Sequence, residues 1–308
     1  MYPVTRAKLP KLSVLALVVY TAWGMSAWAL PQGATVVNGQ VSVAQPAVGA
    51  QVINASNGAI INWKQFSIGA GESTQFIQPS STSAVLNRVV GPDVSQLLGQ
   101  LKANGQVFLI NPNGIVIGGG ARIDTNSFVA STLDMTDADF LAGKLRFFEG
   151  SGAGRVRNDG IITAAPGGRI VLIAPDIENT GIIQAPDGQI LLAAGRKLEI
   201  ASLDLDGVTF EIQAPTDTVL NLGKLLAENG AVQAFAGSLR HSGEIRAGRM
   251  VQGSDGSIML AGSNDLTLTS DSITRADGAS GGTIVLQSAN GTARVAGAVS
   301  VTGTAGVG

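Results

Sequence analysis

Cysteine, histidine and charged residues are scarce in this sequence of 308 residues. The absence of cysteine excludes disulfide bonds and thiolate chemistry. The sole histidine, His241, stands before a Ser-Gly pair where a turn is expected, and we predict that it is solvated. No catalytic triad and no histidine-ligated zinc site are predicted. The 20 basic and 22 acidic residues form no block of either sign, so the sequence lacks the basic footprint of a nucleic-acid-binding protein.

The start of the chain has the three parts of an export signal. Basic residues precede an uncharged, mostly apolar run, Leu12–Trp23. The stretch Ala27-Trp28-Ala29 then places small residues at the two positions that a signal peptidase reads. The apolar run is little more than half of the roughly 20 residues that a membrane span needs. We therefore predict export by the Sec machinery and removal of residues 1–29 by signal peptidase, with cleavage between Ala29 and Leu30.

Glycine is abundant, with 41 residues, whereas aromatic residues make up 5% of the chain. Hydrophobic residues still account for 45%, which is too much for a disordered glycine-rich linker. Many short strands separated by turns fit this composition. The lack of cysteine in an exported chain has two explanations that stay open. A crosslink would obstruct passage through a narrow pore, or a solenoid of this size needs no disulfide bond.

A short pattern, Gly-x-(Ile/Val)-x-(Leu/Ala), recurs along the chain. It begins at Gly105, Gly168, Gly188, Gly230, Gly256 and Gly282. The offsets of 63, 20 and 42 residues are close to three, one and two times 21, and the last two offsets, 26 each, correspond to one period with a short insertion. A second pattern, Gly-x-Ile-x-Ala, keeps the same period and begins at Gly160, Gly181 and Gly243. A fixed repeat of this length predicts a solenoid.

The apolar residues of the repeat alternate with period two, which is typical of strands, and Gly-containing turns bound them. We predict an all-β fold: a right-handed, single-stranded parallel β-helix with an N-terminal β cap from Leu30 to about Ala55. A short helix around residues 94–101 is left open. The side chains expected to form stacked inward columns are Ile170, Leu172, Ile190, Leu192, Ile258, Leu260, Ile284 and Leu286. Residues 201–308 are predicted to continue the repeats, and the lack of a polar closing coil predicts a chain that is truncated within the solenoid.

One turn has unusual flanks. Asn111-Pro112-Asn113-Gly114 suits a type I turn by itself, and it lies between the strand-like runs Gly105–Ile110 and Ile115–Gly118. Together these residues resemble the hallmark Asn-Pro-Asn-Gly-Ile stretch of the secretion domain of two-partner-secretion exoproteins, the filamentous-haemagglutinin-like family. The downstream segments Ala121–Thr125 and Ser127–Leu133 match the usual continuation in that family.

Upstream segments extend the resemblance over about residues 30–200. They are Asn62-Trp63 with Phe66–Gly69, Val85–Val89 and Leu97–Gly99. Many relatives carry a second, earlier Asn-Pro-Asn motif, and this sequence lacks it. The resemblance therefore places the chain in a subgroup without that earlier site.

The resemblance implies that residues 30–200 are a secretion domain, recognised in the periplasm by a cognate outer-membrane β-barrel transporter with periplasmic, POTRA-like domains. The implied recognition residues are Asn111, Pro112, Asn113 and Gly114, with Asn87 and Arg88 as second candidates. The product would be secreted or held on the bacterial surface, where it folds as a β-helix. Its later role would be adhesion or haem- or haemagglutinin-type binding to a host ligand that the sequence does not identify. An alternative stays open, in which Asn111 and Asn113 only stabilise a β-helix corner.

The rival function is a β-helix enzyme that acts on polysaccharides. Its acids and bases could come from Lys197, Glu199 and Asp204. The acidic cluster Asp134, Asp137 and Asp139 lacks the spacing of a calcium loop and is predicted to lie in a turn. Because charges are sparse, we predict no catalytic residues, no cofactor and no metal.

Overall fold

A computed structural model describes residues 29–150, 152, 154–200, 208–211, 217–247, 256–278 and 281–303. Within these ranges the chain forms 32 strands and one short helix. No helix among the described residues has the length and hydrophobicity to span a bilayer. The strands before the helix are β1 Thr35–Asn38, β2 Val41–Ala47, β3 Ala50–Ala55, β4 Ala59–Trp63, β5 Ser73–Ile77, β6 Ala84–Val89, β7 Ser95–Leu97, β8 Gln100–Ala103, β9 Gln106–Ile110, β10 Ile115–Ile117, β11 Arg122–Thr125 and β12 Ser127–Ser131.

The helix and the later strands follow the same chain order. They are α1 Asp137–Leu141, β13 Leu145–Phe148, β14 Arg155–Asn158, β15 Ile161–Ala164, β16 Arg169–Ala174, β17 Asp176–Asn179, β18 Ile182–Gln184, β19 Gln189–Ala194, β20 Lys197–Ile200, β21 Val208–Glu211, β22 Thr218–Asn221, β23 Lys224–Ala227, β24 Ala231–Ala236, β25 Ser238–His241, β26 Glu244–Ala247, β27 Ser257–Gly262, β28 Leu266–Leu268, β29 Ile273–Gly278, β30 Thr283–Ser288, β31 Ala293–Val295 and β32 Ala298–Gly303.

Three long sheets form the sides of a parallel β-helix, and each complete coil adds one strand to each sheet. Sheet 1 has the order β1-β4-β6-β9-β12-β16-β19-β24-β27-β30. Sheet 2 has the order β7-β10-β14-β17-β22-β25-β28-β31, and sheet 3 the order β2-β3-β5-β8-β11-β15-β18-β23-β26-β29-β32. The predicted parallel β-helix is confirmed.

The core lies inside the coils, where aliphatic side chains stack in columns. Ile170 pairs in register with Ile190, and Leu172 with Leu192, on neighbouring strands of sheet 1. All four side chains are fully buried, as the period-two pattern predicts. Two strands further along the sheet, Ile258 continues a column. Burying such side chains stabilises the fold by about 1.5–3 kcal/mol each.

The N-terminal cap reverses the direction of pairing. Strand β1 is antiparallel to β4, and β2 is antiparallel to β3, so both strands cover edges that would otherwise expose unpaired backbone groups. Strand β3 already pairs in parallel with β5 and belongs to the first coil. Residues 94–101 contain strands β7 and β8 rather than the short helix left open above.

Two insertions of 23 residues, 132–154 and 195–217, leave the helix between sheet 1 and sheet 2. They meet in a small antiparallel sheet of β13, β20 and β21. The offsets of 63 and 42 residues therefore contain two coils and one coil, not three and two. Each insertion is about as long as one coil, so the repeat interpretation counted each of them as a coil.

The insertions cover the outer face of sheet 1 and build a second apolar core there. From sheet 1 this core takes Phe108, Val129 and Leu191, and from the insertions Phe140 and Phe147. The rings of Phe108 and Phe140 meet edge to face with centroids 5.3 Å apart, a favoured aromatic geometry. The strands of sheet 1 are therefore apolar on both faces, which an alternating pattern does not predict.

The corner between sheet 2 and sheet 3 is built from a repeated Asn-x-Gly motif. Buried amides stack along the helix: the Nδ2 of Asn158 donates to Asn179 Oδ1, and the Nδ2 of Asn179 donates to Asn221 Oδ1, each at 2.8 Å. His241 takes the fourth position, where its Nδ1 accepts from Asn221 Nδ2 at 3.0 Å. The prediction of a solvated His241 is wrong, since the ring is fully buried.

Glycine is required two residues after each of these side chains because the coils nearly touch there. A Cβ on Gly181 would lie 2.1 Å from the Gly160 carbonyl oxygen, and a Cβ on Gly223 would lie 2.1 Å from the Gly181 carbonyl oxygen. Burial lowers the pKa of the His241 imidazole, which therefore ends the amide stack in its neutral form. Its Nε2 donates to the Ile273 carbonyl at 3.3 Å.

Candidate recognition site at the Asn-Pro-Asn-Gly turn

The Asn-Pro-Asn-Gly turn links β9 of sheet 1 to β10 of sheet 2. Its ends are closed by a backbone hydrogen bond in which Gly114 N donates to Asn111 O at 3.1 Å, the geometry of a β-turn. Gly114 has a φ of 128°, a conformation that residues with a side chain rarely adopt. Within the chain, the motif is therefore a tight corner of the β-helix.

Asn111 joins the turn to the preceding coil from the inside. Its side chain is fully buried. The Nδ2 group donates to Asp93 O and to Ser95 Oγ, both at 2.9 Å, while Oδ1 accepts from Asn113 N at 3.0 Å. Every hydrogen of the amide is used, so a shorter or charged side chain would leave buried groups without partners.

Asn113 joins the same two coils from the outside. Its side chain is exposed, yet Nδ2 donates to Gly91 O at 2.9 Å and to Asn111 Oδ1 at 3.2 Å. On the opposite side, Gly154 N donates to Pro112 O at 3.0 Å. The turn is therefore held between the coil below and the coil above, and both asparagines stabilise the corner through local bonds.

Asn87 and Arg88 are adjacent on β6 but point to opposite sides of sheet 1. Asn87 lies inside the helix, where Oδ1 accepts from Trp63 Nε1 at 2.9 Å and Nδ2 donates to Phe108 O at 3.2 Å. Arg88 is paired in register with Ile110 of β9. The structure therefore brings Arg88 to the strand that ends in the Asn-Pro-Asn-Gly turn, while Asn87 is enclosed.

Arg88 anchors the first insertion to sheet 1. It contacts Asp134 Oδ1 at 3.1 Å and Asp137 Oδ1 at 2.8 Å, and its Nη2 donates to Met135 O at 2.7 Å. Asp137 begins helix α1, which Thr136 caps by accepting from Asp139 N. The acidic cluster is therefore not a simple turn. Two of its members neutralise Arg88, and the third helps to start a helix.

Residues proposed for the rival enzyme do not form a site in the described part of the chain. Glu199 accepts from Arg146 at 2.8 Å on the exposed face of the small antiparallel sheet. Asp204 lies outside the described residues. Among the residues that the structure describes, no group of three or more acidic or histidine side chains is placed to hold a metal ion.

The residues of the predicted cleavage site lie at the start of the described chain. Residues 1–28 are outside it. Leu30 is buried with 4% of its surface exposed, and Ala29 N donates to the Glu72 carboxylate at 2.9 Å. Sequence analysis did not single out Glu72. Its only signal was a charged residue within the glycine-rich turn that precedes β5.

A parallel β-helix with an antiparallel cap and this corner motif defines a secretion domain of bacterial exoproteins. The chain belongs to the family described as "TPS secretion domain", whose profile matches residues 27–270. Membership implies a cognate outer-membrane transporter as partner, and the exoproteins of this family are secreted across the outer membrane. The family is a secretion domain and not an enzyme family.

Solved and curated relatives agree with this assignment. The HMW1 secretion domain from Haemophilus influenzae superposes with a TM-score of 0.78 and 32% identity, over 89% of this chain and 84% of that one. A "Heme/hemopexin-binding protein" of H. influenzae strain Rd is 31% identical over 231 residues, which is 70% of this chain and 25% of the relative. A second protein of that description is 37% identical over 130 residues, 41% of this chain and 14% of the relative. The chain thus spans a quarter or less of the curated relatives it matches.

Proposed function

We propose that residues 30–200 carry the address that the periplasmic, POTRA-like domains of the cognate transporter recognise, and that the chain folds at the cell surface. In this route the Sec machinery exports the chain, signal peptidase removes residues 1–29, and the periplasmic form reaches the transporter unfolded. Residues 201–308 extend the repeats. The observation that carries the proposal is the buried Asn-Pro-Asn-Gly corner in a chain of this family.

The burial of Asn111 supports recognition before folding. Its side chain is fully buried and uses all of its amide hydrogens within the folded corner. A partner that reads this side chain must therefore bind before the coil closes. An extended segment can do so by adding a strand to the edge of a partner sheet, with backbone hydrogen bonds for affinity and side chains for specificity.

The pairing of strands supports folding in the order of emergence. Within sheets 2 and 3, each strand pairs only with the strands of the neighbouring coils. A newly emerged coil therefore needs only its predecessor as a template, as in other solenoids. Each coil that closes buries its aliphatic columns and opposes return of the chain through the transporter.

The test compares Asn113→Ala with Asn104→Ala. Both asparagines are exposed at a corner, and each loses two hydrogen bonds: Asn113 to Gly91 and Asn111, and Asn104 to the Gln78 backbone at 2.7 and 2.8 Å. Each bond contributes about 0.5–1.5 kcal/mol, so the two variants are matched in folding cost. We expect secretion of Asn113→Ala to fall severalfold in cells that carry the transporter, and that of Asn104→Ala to stay near the parent level.

Thermal melting of the purified variants provides the control for folding. The double variant Asn111→Ala with Asn113→Ala is expected to reduce secretion further, and also to melt lower because Asn111 is buried. If the two single variants lose secretion equally, in step with their melting temperatures, the turn is only a fold element and the recognition proposal is wrong.

The exoprotein that carries this domain is further proposed to bind a host ligand, either haem or hemopexin or, as an adhesin, a surface component. The similarity to two proteins described as "Heme/hemopexin-binding protein" supports this role. His241 is the sole histidine of the 308 residues, and both of its ring nitrogens are bonded in the core. Haem titration of the processed 30–308 chain is therefore expected to show no histidine-ligated spectrum, and its appearance would contradict this division of labour.

A further inference from the structure

A buried carboxylate lies beside the predicted start of the mature chain. Glu72 closes the turn Gly69–Glu72 before β5, and only 3% of its surface is exposed. Its Oε2 accepts from Gly69 N at 2.6 Å, and its Oε1 accepts from Ala29 N at 2.9 Å. No ion pair of the described residues includes Glu72. Two backbone amides are a small compensation for a buried negative charge, which usually requires a cation.

The chain that follows the predicted cleavage site is held against the first coil. Leu30 and Pro31 are buried. The Nε2 of Gln51 donates to Pro31 O at 3.1 Å, and Gln32 pairs with Gln65 through backbone bonds of 2.9 and 3.3 Å. The Oε1 of Gln51 is buried without a hydrogen-bond partner. The start of the mature chain therefore lies between an unneutralised carboxylate and an unused acceptor.

We propose that Glu72 is the binding site for the α-ammonium group that signal peptidase creates at Leu30. This inference rests on the proposed cleavage between Ala29 and Leu30. Cleavage removes the Ala29 amide that binds Glu72 in the uncleaved chain. It also converts Leu30 N, one residue or about 3.8 Å further along the backbone, into a cation with three N–H groups. One can bind the carboxylate, and another can bind the free acceptor of Gln51.

The charge pair would link processing to folding. In the uncleaved chain the Glu72 carboxylate is balanced by neutral amides alone. In the processed chain it forms a charge-assisted hydrogen bond, which is stronger than a neutral one. The N-terminal end of the β-helix is therefore most stable only after the signal has been removed. A chain that still carries its signal would fold less readily at this end, which suits a chain that must stay unfolded until it reaches the transporter.

The test uses the processed chain, residues 30–308, with its free amine at Leu30. The control chain carries an added Gly-Ser-Gly before Leu30, which keeps an amine but moves it away from Glu72. Thermal unfolding is measured from pH 6 to pH 10. A folded-state pKa raised above the unfolded value of about 7.7–8.0 for an α-amine gives stability that is complete at lower pH and is lost as the pH rises through the folded pKa.

We expect the melting temperature of the processed chain to fall by about 2–4 °C more than that of the extended chain between pH 7 and pH 10. The substitution Glu72→Gln is expected to abolish this difference. Glu228→Gln, the same change at an exposed residue whose side chain has no bond in the structure, is expected to preserve it. Equal pH responses of the processed and extended chains, or a response that survives Glu72→Gln, would overturn the proposal.

The intact mass of exported protein tests the cleavage step separately. A mass that begins at Leu30 supports the position of the amine, and a mass that begins elsewhere overturns it. The comparison of processed and extended chains needs no substitution, so the docking test remains decisive even where Glu72→Gln fails to fold.

Discussion

The coils up to β12 and those from β14 onward are held together in different ways. In one column of sheet 2, the early strands place Leu97 and Ile117 inside the helix. The same column continues with Asn158 and its stacked successors in the later coils. The early corner after β10 is the open run Gly118–Gly120, where a Cβ on Gly119 would meet nothing closer than 3.8 Å. The later corners are the close-packed Asn-x-Gly motif.

This contrast indicates two ways to set the position of a coil. The early coils use polar contacts that occur once, such as Trp63 with Asn87 or Asn111 with Ser95. The later coils repeat one contact at every turn of the helix. A contact that occurs once specifies one register and can also act as an address. A repeated contact allows coils to be added in number but distinguishes none of them.

The largest difference is expected between Gly181→Ala and Gly119→Ala. The new methyl group at residue 181 would lie 2.1 Å from the Gly160 carbonyl oxygen, so two stacked coils must separate. Overpacking of this kind costs about 1–3 kcal/mol and sometimes more. The methyl group at residue 119 has room, and we expect little change. Urea unfolding of both variants measures the difference, and equal midpoints would remove the distinction between open and close-packed corners.

A smaller effect is expected when the cation of one region is compared with that of the other. Arg88→Ala removes two carboxylate contacts and a bond to Met135 O from a largely buried guanidinium, and charge-assisted bonds contribute about 1.5–3 kcal/mol. Arg157 pairs with Asp159 and Glu178 on the exposed face of sheet 2, where ion pairs contribute little.

The variants Arg88→Ala and Arg157→Ala are therefore expected to differ in two measurements. Arg88→Ala lowers the unfolding midpoint and makes residues 132–154 sensitive to limited proteolysis, because it releases the first insertion from sheet 1. Arg157→Ala does neither. A midpoint of Arg88→Ala at the parent value would show that the second apolar core holds the insertion without this anchor.

The smallest effect is a pH dependence that arises only in the later coils. The pKa of His241 is lowered by burial, so the unfolded chain takes up a proton before the folded chain as the pH falls below about 6.5. Stability is therefore expected to decrease from that pH downward. His241→Asn continues the amide stack and should flatten the curve. A parent and variant with parallel curves between pH 7 and pH 5 would assign the acid sensitivity to other groups.

Sequence analysis predicted the solenoid well because each column repeats a local pattern. Ile170 and Ile190 occupy the same step of Gly-x-(Ile/Val)-x-(Leu/Ala), and they are partners in the sheet. It failed where a residue's environment depends on another coil. The Ser-Gly pair after His241 correctly indicates a corner, but only the neighbouring coil supplies Asn221 and encloses the ring.

The sequence alone determined the strand period, the inward columns, the cap and the membership in a secretion-domain family, because these depend on residues close together in the chain. Only the tertiary structure decided how many coils the chain forms, since an insertion of 23 residues has almost the length of a coil. It also decided the partners of Glu72, which lies 43 residues from Ala29. Spacing along a chain reports how often a pattern returns, whereas the burial of a charge depends on which distant segments the fold brings against it.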